Sequence, residues 1–191
     1  AWITPPSITG WVYGAFNASS VSAGEATFGT ENAKYTVSVS ESGVAGFIDL
    51  GFEDLTKKLN DLDAGTYRLT VVCADNVEDA ALANFNAATR MLDFVVAQAE
   101  NEWQISPSIT GWTWNDTAHE PVEGVTKYPN GGISGVYYKA DSDGSLGEQV
   151  DGVPTLAGLY AYVTTAAASK NYKEITHTAH FTVAQLQNTW T

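Results

Sequence analysis

The chain has 191 residues, enough for one large domain or two smaller ones, and its 44% hydrophobic content supports a core in each half rather than a disordered chain. With 22 acidic against 9 basic side chains the formal charge is −13, which repels nucleic acid and anionic membrane surfaces, and no basic stripe offsets it. The single cysteine, Cys73, rules out an intrachain disulfide, no Cys/His zinc spacing occurs, and no run approaches the ~18 apolar residues of a membrane-crossing helix.

From the N-terminus, Ala1 opens directly onto a turn-rich segment with no signal peptide, so export would need signals outside this stretch. Pro6 suits the start of an edge strand. Ile8 differs in parity from Trp11 and Tyr13, and a bulge at Gly10 would bring all three to one face. Tyr35 to Ser40 reads as a strand. Glu53 to Leu62 reads as a short helix, with Leu55, Leu59 and Leu62 at helical spacing. Thr66 to Cys73 is a strand whose Tyr67, Leu69, Val71 and Cys73 share one core-facing parity. Ala80 to Leu92 has the Ala-rich composition of a second helix, and Phe94 and Val96 then alternate inward. Further on, Pro107, Ile109, Gly111, Trp112 and Trp114 repeat the opening pattern, bulge included. Strands follow at Val136 to Lys139, Leu159 to Thr165 and Ala179 to Ala184. In these, Tyr160, Tyr162, Thr164 and Ala166 form one face, and Phe181 and Val183 point inward.

The chain repeats itself. Trp2 through Tyr13 matches Trp103 through Trp114, Ala64-Gly65-Thr66-Tyr67 matches Ala157-Gly158-Leu159-Tyr160, and Phe94-Val95-Val96-Ala97-Gln98 matches Phe181-Thr182-Val183-Ala184-Gln185. The separation shrinks from block to block while the order is kept, as two copies with insertions in the first would produce. Asn101-Glu102-Trp103 opens the second copy, and Asn188-Thr189-Trp190 follows it at the same distance from the last block, so residues from about 188 read as the start of a third. The expected domains are residues 1–100 and 101–191, cut from a longer array. Short strands with frequent turn signals argue for a β-sandwich in each.

The pattern Trp-x-x-x-Pro-Ser-Ile-x-Gly-Trp-x-aromatic, then Ala-Gly-x-Tyr, an Asn-aromatic pair (Asn84-Phe85, Asn171-Tyr172) and a closing Phe-x-Val resembles the immunoglobulin-like repeats of large surface proteins from Gram-positive, often gut-dwelling, bacteria. The second copy fits better; the first departs between Glu41 and Asp63 and between Asn76 and Thr89. The resemblance implies a mainly β chain of two tandem immunoglobulin-like sandwiches, the first with short helical insertions. It also implies an extracellular, cell-surface location, with wall attachment through regions outside this stretch. It implies no catalytic residues and no cofactor.

Residue chemistry leads the same way. Trp11, Trp112, Trp114 and Tyr13 would suit a sugar-stacking platform, but repeated tryptophans on a strand are more often core. Trp2 and Trp103 stand at copy boundaries with Trp190, where packing between neighbouring repeats is expected; Trp2, Trp103 and Trp114 are therefore the candidates for ligand or interdomain contact. Asp141-Ser142-Asp143-Gly144 lacks the third acid and spaced glutamate of a calcium loop and reads as a hairpin turn. His177 and His180 point to opposite faces of a strand and do not share a metal, and His119 stands alone among acids. Cys73 has no basic partner nearby and reads as an inert thiol, and nothing in the spacing gives Lys34, Lys127 or Lys139 an isopeptide partner. Two sequons, Asn17-Ala18-Ser19 and Asn115-Asp116-Thr117, are short enough to arise by chance. No nucleophile motif, phosphate loop or dinucleotide fingerprint is present, so no catalytic, cofactor or metal residues are assigned. The expected role is that of a non-enzymatic spacer whose partners are neighbouring repeats. The alternative is a module binding a glycan or a host protein, with no nucleic acid and no membrane insertion.

Overall fold

The structure is a computed structural model, and it describes residues 2–26, 33–39, 52–73 and 88–188. The described residues are mainly β, in several sheets, with one short α-helix. The chain divides into two compact units, Ala1–Ala99 and Glu100–Thr191.

In the first unit, strands β1 (Trp2–Thr4), β2 (Ser7–Ile8), β3 (Trp11–Val12), β4 (Val21–Ser22), β5 (Glu25–Ala26) and β6 (Ala33–Val39) precede helix α1 (Phe52–Asn60). Strands β7 (Gly65–Cys73) and β8 (Ala88–Ala97) follow it. The main sheet runs β3-β8-β7-β6, and the pairs β1-β5 and β2-β4 stand apart from it. Tyr67, Leu69 and Val71 of β7 and Phe94 and Val96 of β8 are buried, as their alternation requires. Helix α1 occupies the expected segment. Glu53 and Asp54 in its first turn and Lys57 and Lys58 in its last suit the helix dipole, and Leu55 and Leu59, fully buried one turn apart, join the same core as Trp11.

The second unit comprises β9 (Trp103–Ile105), β10 (Trp112–Thr113), β11 (Val125–Thr126), β12 (Ile133–Ala140), β13 (Leu146–Val150), β14 (Gly158–Ala166) and β15 (Ile175–Ala184). Its main sheet runs β10-β15-β14-β12-β13, beside the pair β9-β11 and a bridge between Ser108 and Val122. The core is aromatic: Trp112, Tyr137, Tyr160 and Phe181, with Val183. Strand order thus matches between units except that β13, a hairpin partner of β12, stands where the first unit has α1 in the chain.

Two expectations need correction. The opening motif contains no bulge within one strand. The strand ends at Ile8, where β2 pairs antiparallel with β4, and resumes at Trp11, where β3 pairs parallel with β8. The residue that permits this change of sheet is Gly10, because a Cβ there would run into the carbonyl oxygen of Val95; Gly111 stands in the same relation to Thr182. The second correction concerns the helix expected over Ala80 to Leu92. Residues 80–87 lie outside the described set, but 88–92 belong to β8, where Leu92 pairs with Leu69 and Ala88 with Cys73. Backbone pairing with β7 overrides the helical propensity of the Ala-rich composition. The Asn84-Phe85 pair, Trp190, and the side chains of Cys73 and Lys34 also lie outside the described residues.

Candidate functional site

A turn at the end of the opening motif recurs in both units with nearly the same hydrogen bonds. In the first unit Tyr13 N–H donates to Ala97 O (2.8 Å) and Ala15 N–H to Val12 O (2.9 Å); in the second, Trp114 N–H donates to Ala184 O (2.7 Å) and Asp116 N–H to Thr113 O (2.9 Å). The third position is left-handed in each: Gly14 at φ 76° and Asn115 at φ 73°. Glycine takes this conformation freely, and asparagine tolerates it better than most residues. On this shared backbone the side chains differ. Tyr13 is half-buried and packs against the core of its unit, whereas Trp114 is 44% exposed. Around Trp114 lie two open depressions of about 390 and 420 Å³; one is lined also by Asn115, Asp116 and Thr155, the other by Gln185 and Asn188.

The other candidates are structural in their surroundings. Trp2 is half-buried and packs on the first unit's core. Trp103 is half-buried, its ring lies against Gly124, and its Nε1–H points at Thr176 O (3.5 Å). Trp11 and Trp112 are each 8% exposed and serve as core residues. Each stacks on a phenylalanine at a centroid separation of 5.2 Å (Trp11 on Phe94, Trp112 on Phe181), and each phenylalanine stacks on a tyrosine, Phe94 on Tyr67 and Phe181 on Tyr160. Those tyrosines close a further repeated device. Tyr67 Oη–H donates to Asp63 O (2.8 Å) and Tyr160 Oη–H to Leu156 O (2.9 Å), each four residues upstream.

Asp141 to Gly144 forms the β12-β13 turn. Gly144 N–H donates to Asp141 O (2.9 Å), and the Asp143 carboxylate accepts from Ser145 N–H (2.9 Å), a bond that holds its pKa below the usual aspartate value. His177 is half-buried and His180 exposed, on opposite faces of β15, while His119 meets the edge of Trp112 with ring centroids 6.3 Å apart.

One cluster was not anticipated. Asn101 is buried. Its side-chain oxygen accepts from the amides of Glu102 (2.9 Å) and Tyr128 (3.3 Å), and its Nδ2 donates to Tyr128 O and Pro129 O. Tyr128 stacks on Tyr172 (4.5 Å, 5° between planes), and Lys127 lies 5.1 Å over the Tyr128 ring while pairing with Glu102 at 3.0 Å. The sequence signals were Asn101 at the head of the repeat block and Tyr172 of the Asn-aromatic pair; Tyr128 belongs to no repeated pattern.

No helix among the described residues is long and apolar enough to cross a membrane. No family model matches the chain, and no curated protein does. Among solved structures it is similar to a Drosophila N-cadherin EC1-4 crystal structure, at 12% identity and a TM-score of 0.33, covering 95% of this chain and 48% of that one.

Proposed function

We propose that the two units are immunoglobulin-like β-sandwich repeats acting as non-catalytic spacers in a large extracellular bacterial surface protein. In that role they hold a distal adhesive or enzymatic domain away from the cell wall, and their partners are neighbouring repeats. The observation that carries this reading is the parallel pairing of an early strand with the last: β3 with β8, and β10 with β15. Tension applied between the two ends of a unit loads such a pair in shear, so its hydrogen bonds must fail together rather than one at a time. A tether benefits from that arrangement. The repeated tyrosine-to-carbonyl bond supports the sandwich assignment, because a tyrosine tied to backbone a few residues upstream marks immunoglobulin-like corners. An acidic surface keeps serial repeats soluble and discourages their sticking together.

Single-molecule stretching of the 191-residue chain tests the proposal. Two separate unfolding peaks are expected, each lengthening the chain by about 30 nm, from about 3.6 Å per released residue. Extension at negligible force, without discrete peaks, would refute a load-bearing role.

A further inference from the structure

We propose that the Trp114 turn is a binding site for a neutral, pyranose-based oligosaccharide. The indole would stack on one sugar face, with Asn115, Asp116 and Gln185 hydrogen-bonding to ring hydroxyls. The argument begins with the internal comparison. Both units build the same turn with the same hydrogen bonds, so the fold requires only a residue tolerant of positive φ at its third position. The first unit meets that requirement with Tyr13-Gly14-Ala15, whose aromatic ring is half-buried against the core. The second has Trp114-Asn115-Asp116. It replaces the strain-free glycine with an amide, adds a carboxylate, and leaves 44% of a tryptophan in solvent. None of these three changes is demanded by the backbone, and each adds a group that recognises sugars: a flat apolar face and two hydrogen-bonding side chains.

The surroundings fit. The two depressions beside the indole are within the size range of small-ligand pockets, and both are open, as an extended oligosaccharide needs. Thr155 and Gln185 add polar groups on either side. The turn is pinned to β15 through Ala184, so its backbone is ordered before any ligand arrives, which reduces the entropy lost on binding. The chemistry also sets selectivity. Asp116 lies at the site in a chain of net charge −13, so sulfated, sialylated and uronic-acid glycans are repelled, and a neutral ligand remains.

The test is calorimetric titration of the full chain with cello-, xylo- and mannohexaose and hexa-N-acetylchitohexaose, alongside a sulfated and a uronic-acid oligosaccharide. At least one neutral hexaose is expected to bind with a Kd of about 0.1–1 mM, and the anionic ones not to bind. Trp114→Ala should weaken binding roughly tenfold or more, Trp114→Phe should restore part of it, and Asp116→Ala should weaken it by roughly threefold. Tyr13→Phe should leave binding unchanged, and an unaltered melting temperature would show that Trp114→Ala still folds. Failure of every neutral hexaose to bind at about 5 mM would overturn the proposal, as would binding that survives Trp114→Ala. Concentration-dependent self-association abolished by Trp114→Ala would also overturn it, by assigning the indole to a protein contact instead. The spacer reading does not depend on any of these outcomes, since stretching measures it separately.

Discussion

Tyr67 and Tyr160 show how far a single side chain is legible in a sequence. Alternation along their strands puts both rings in the core, and both are there, 5% exposed. Alternation says nothing of where the hydroxyl goes, because its acceptor is a loop carbonyl fixed by the path of the turn, not by strand periodicity. Tyr160→Phe keeps the ring and removes the donor, so it should cost about 1–2 kcal/mol, read as a lower urea midpoint. Trp112→Ala removes a stacked core ring and should cost about 3–5 kcal/mol, whereas Trp114→Ala, at an exposed position, should stay within about 0.5 kcal/mol. Tryptophans 112 and 114 are only two residues apart, and the sequence marks both as aromatic positions of one motif; the turn alone does not set their different burial, because the same turn in the first unit leaves Tyr13 half-buried against its core. Two further tyrosines, Tyr137 and Tyr162, are held above the ordinary tyrosine pKa by burial, with nearby acids (Glu120 for both, Glu123 for Tyr162) adding to the shift. A raised folded-state pKa disfavours the phenolate in the native protein. Their contribution to stability is therefore complete below about pH 10 and is lost as pH rises through the folded-state values. Absorbance titration should show tyrosines ionising late, and urea midpoints should fall above about pH 10.

Elements were legible where one periodicity ruled and illegible where two competed. Helix α1 was readable because Leu55 and Leu59 lie one turn apart with no strand-like alternation between them. The segment ending at Leu92 was misread because its alanines suggest a helix, while Leu92, Phe94 and Val96 already carry the period of two that β8 obeys. Long-range pairing with β7 decided the matter, and no local window contains that information. The break between β2 and β3 illustrates the same point. Sequence showed that Gly10 was needed to reconcile Ile8 with Trp11, but a bulge and a change of sheet satisfy the same parity. The long-range pairing distinguishes them, β2 with β4 and β3 with β8, and it brings Gly10 against the Val95 backbone. Gly111→Ala is the corresponding experiment in the second unit. The added methyl meets the Thr182 backbone, which cannot move without disturbing β15, so β10 must separate from its partner. A loss of about 1–3 kcal/mol is expected, with faster amide hydrogen exchange at Trp114, whose N–H bonds to Ala184. Unchanged exchange at Trp114 would contradict this account of the sheet change.

At the scale of the molecule, the internal repeat carried more information than any motif, because it located both copies of three core aromatics, Trp11 and Trp112, Tyr67 and Tyr160, Phe94 and Phe181, before any contact was known; Tyr137 lies outside the repeated blocks. Among the described residues, the two hydrophobic cores have no buried residue in common: Trp11, Tyr67, Leu69, Val71, Phe94 and Val96 with the α1 leucines in one, and Trp112, Tyr137, Tyr160, Phe181 and Val183 in the other. A cavity made in one core therefore removes contacts only from that core, and its cost should not spread to the other. This makes a sharp prediction for the full chain. Trp11→Ala should lower the unfolding midpoint reported by residues 88–97 and leave that reported by residues 175–184 in place, and Trp112→Ala should do the reverse. Hydrogen exchange under increasing urea, followed on peptides from those two strands, separates the reporters. The double variant should shift both midpoints by the sum of its parts, within about 0.5 kcal/mol. If either single substitution moved both strands together, the 191 residues would unfold as one cooperative body, and neither unit would have the independence that serial spacers require.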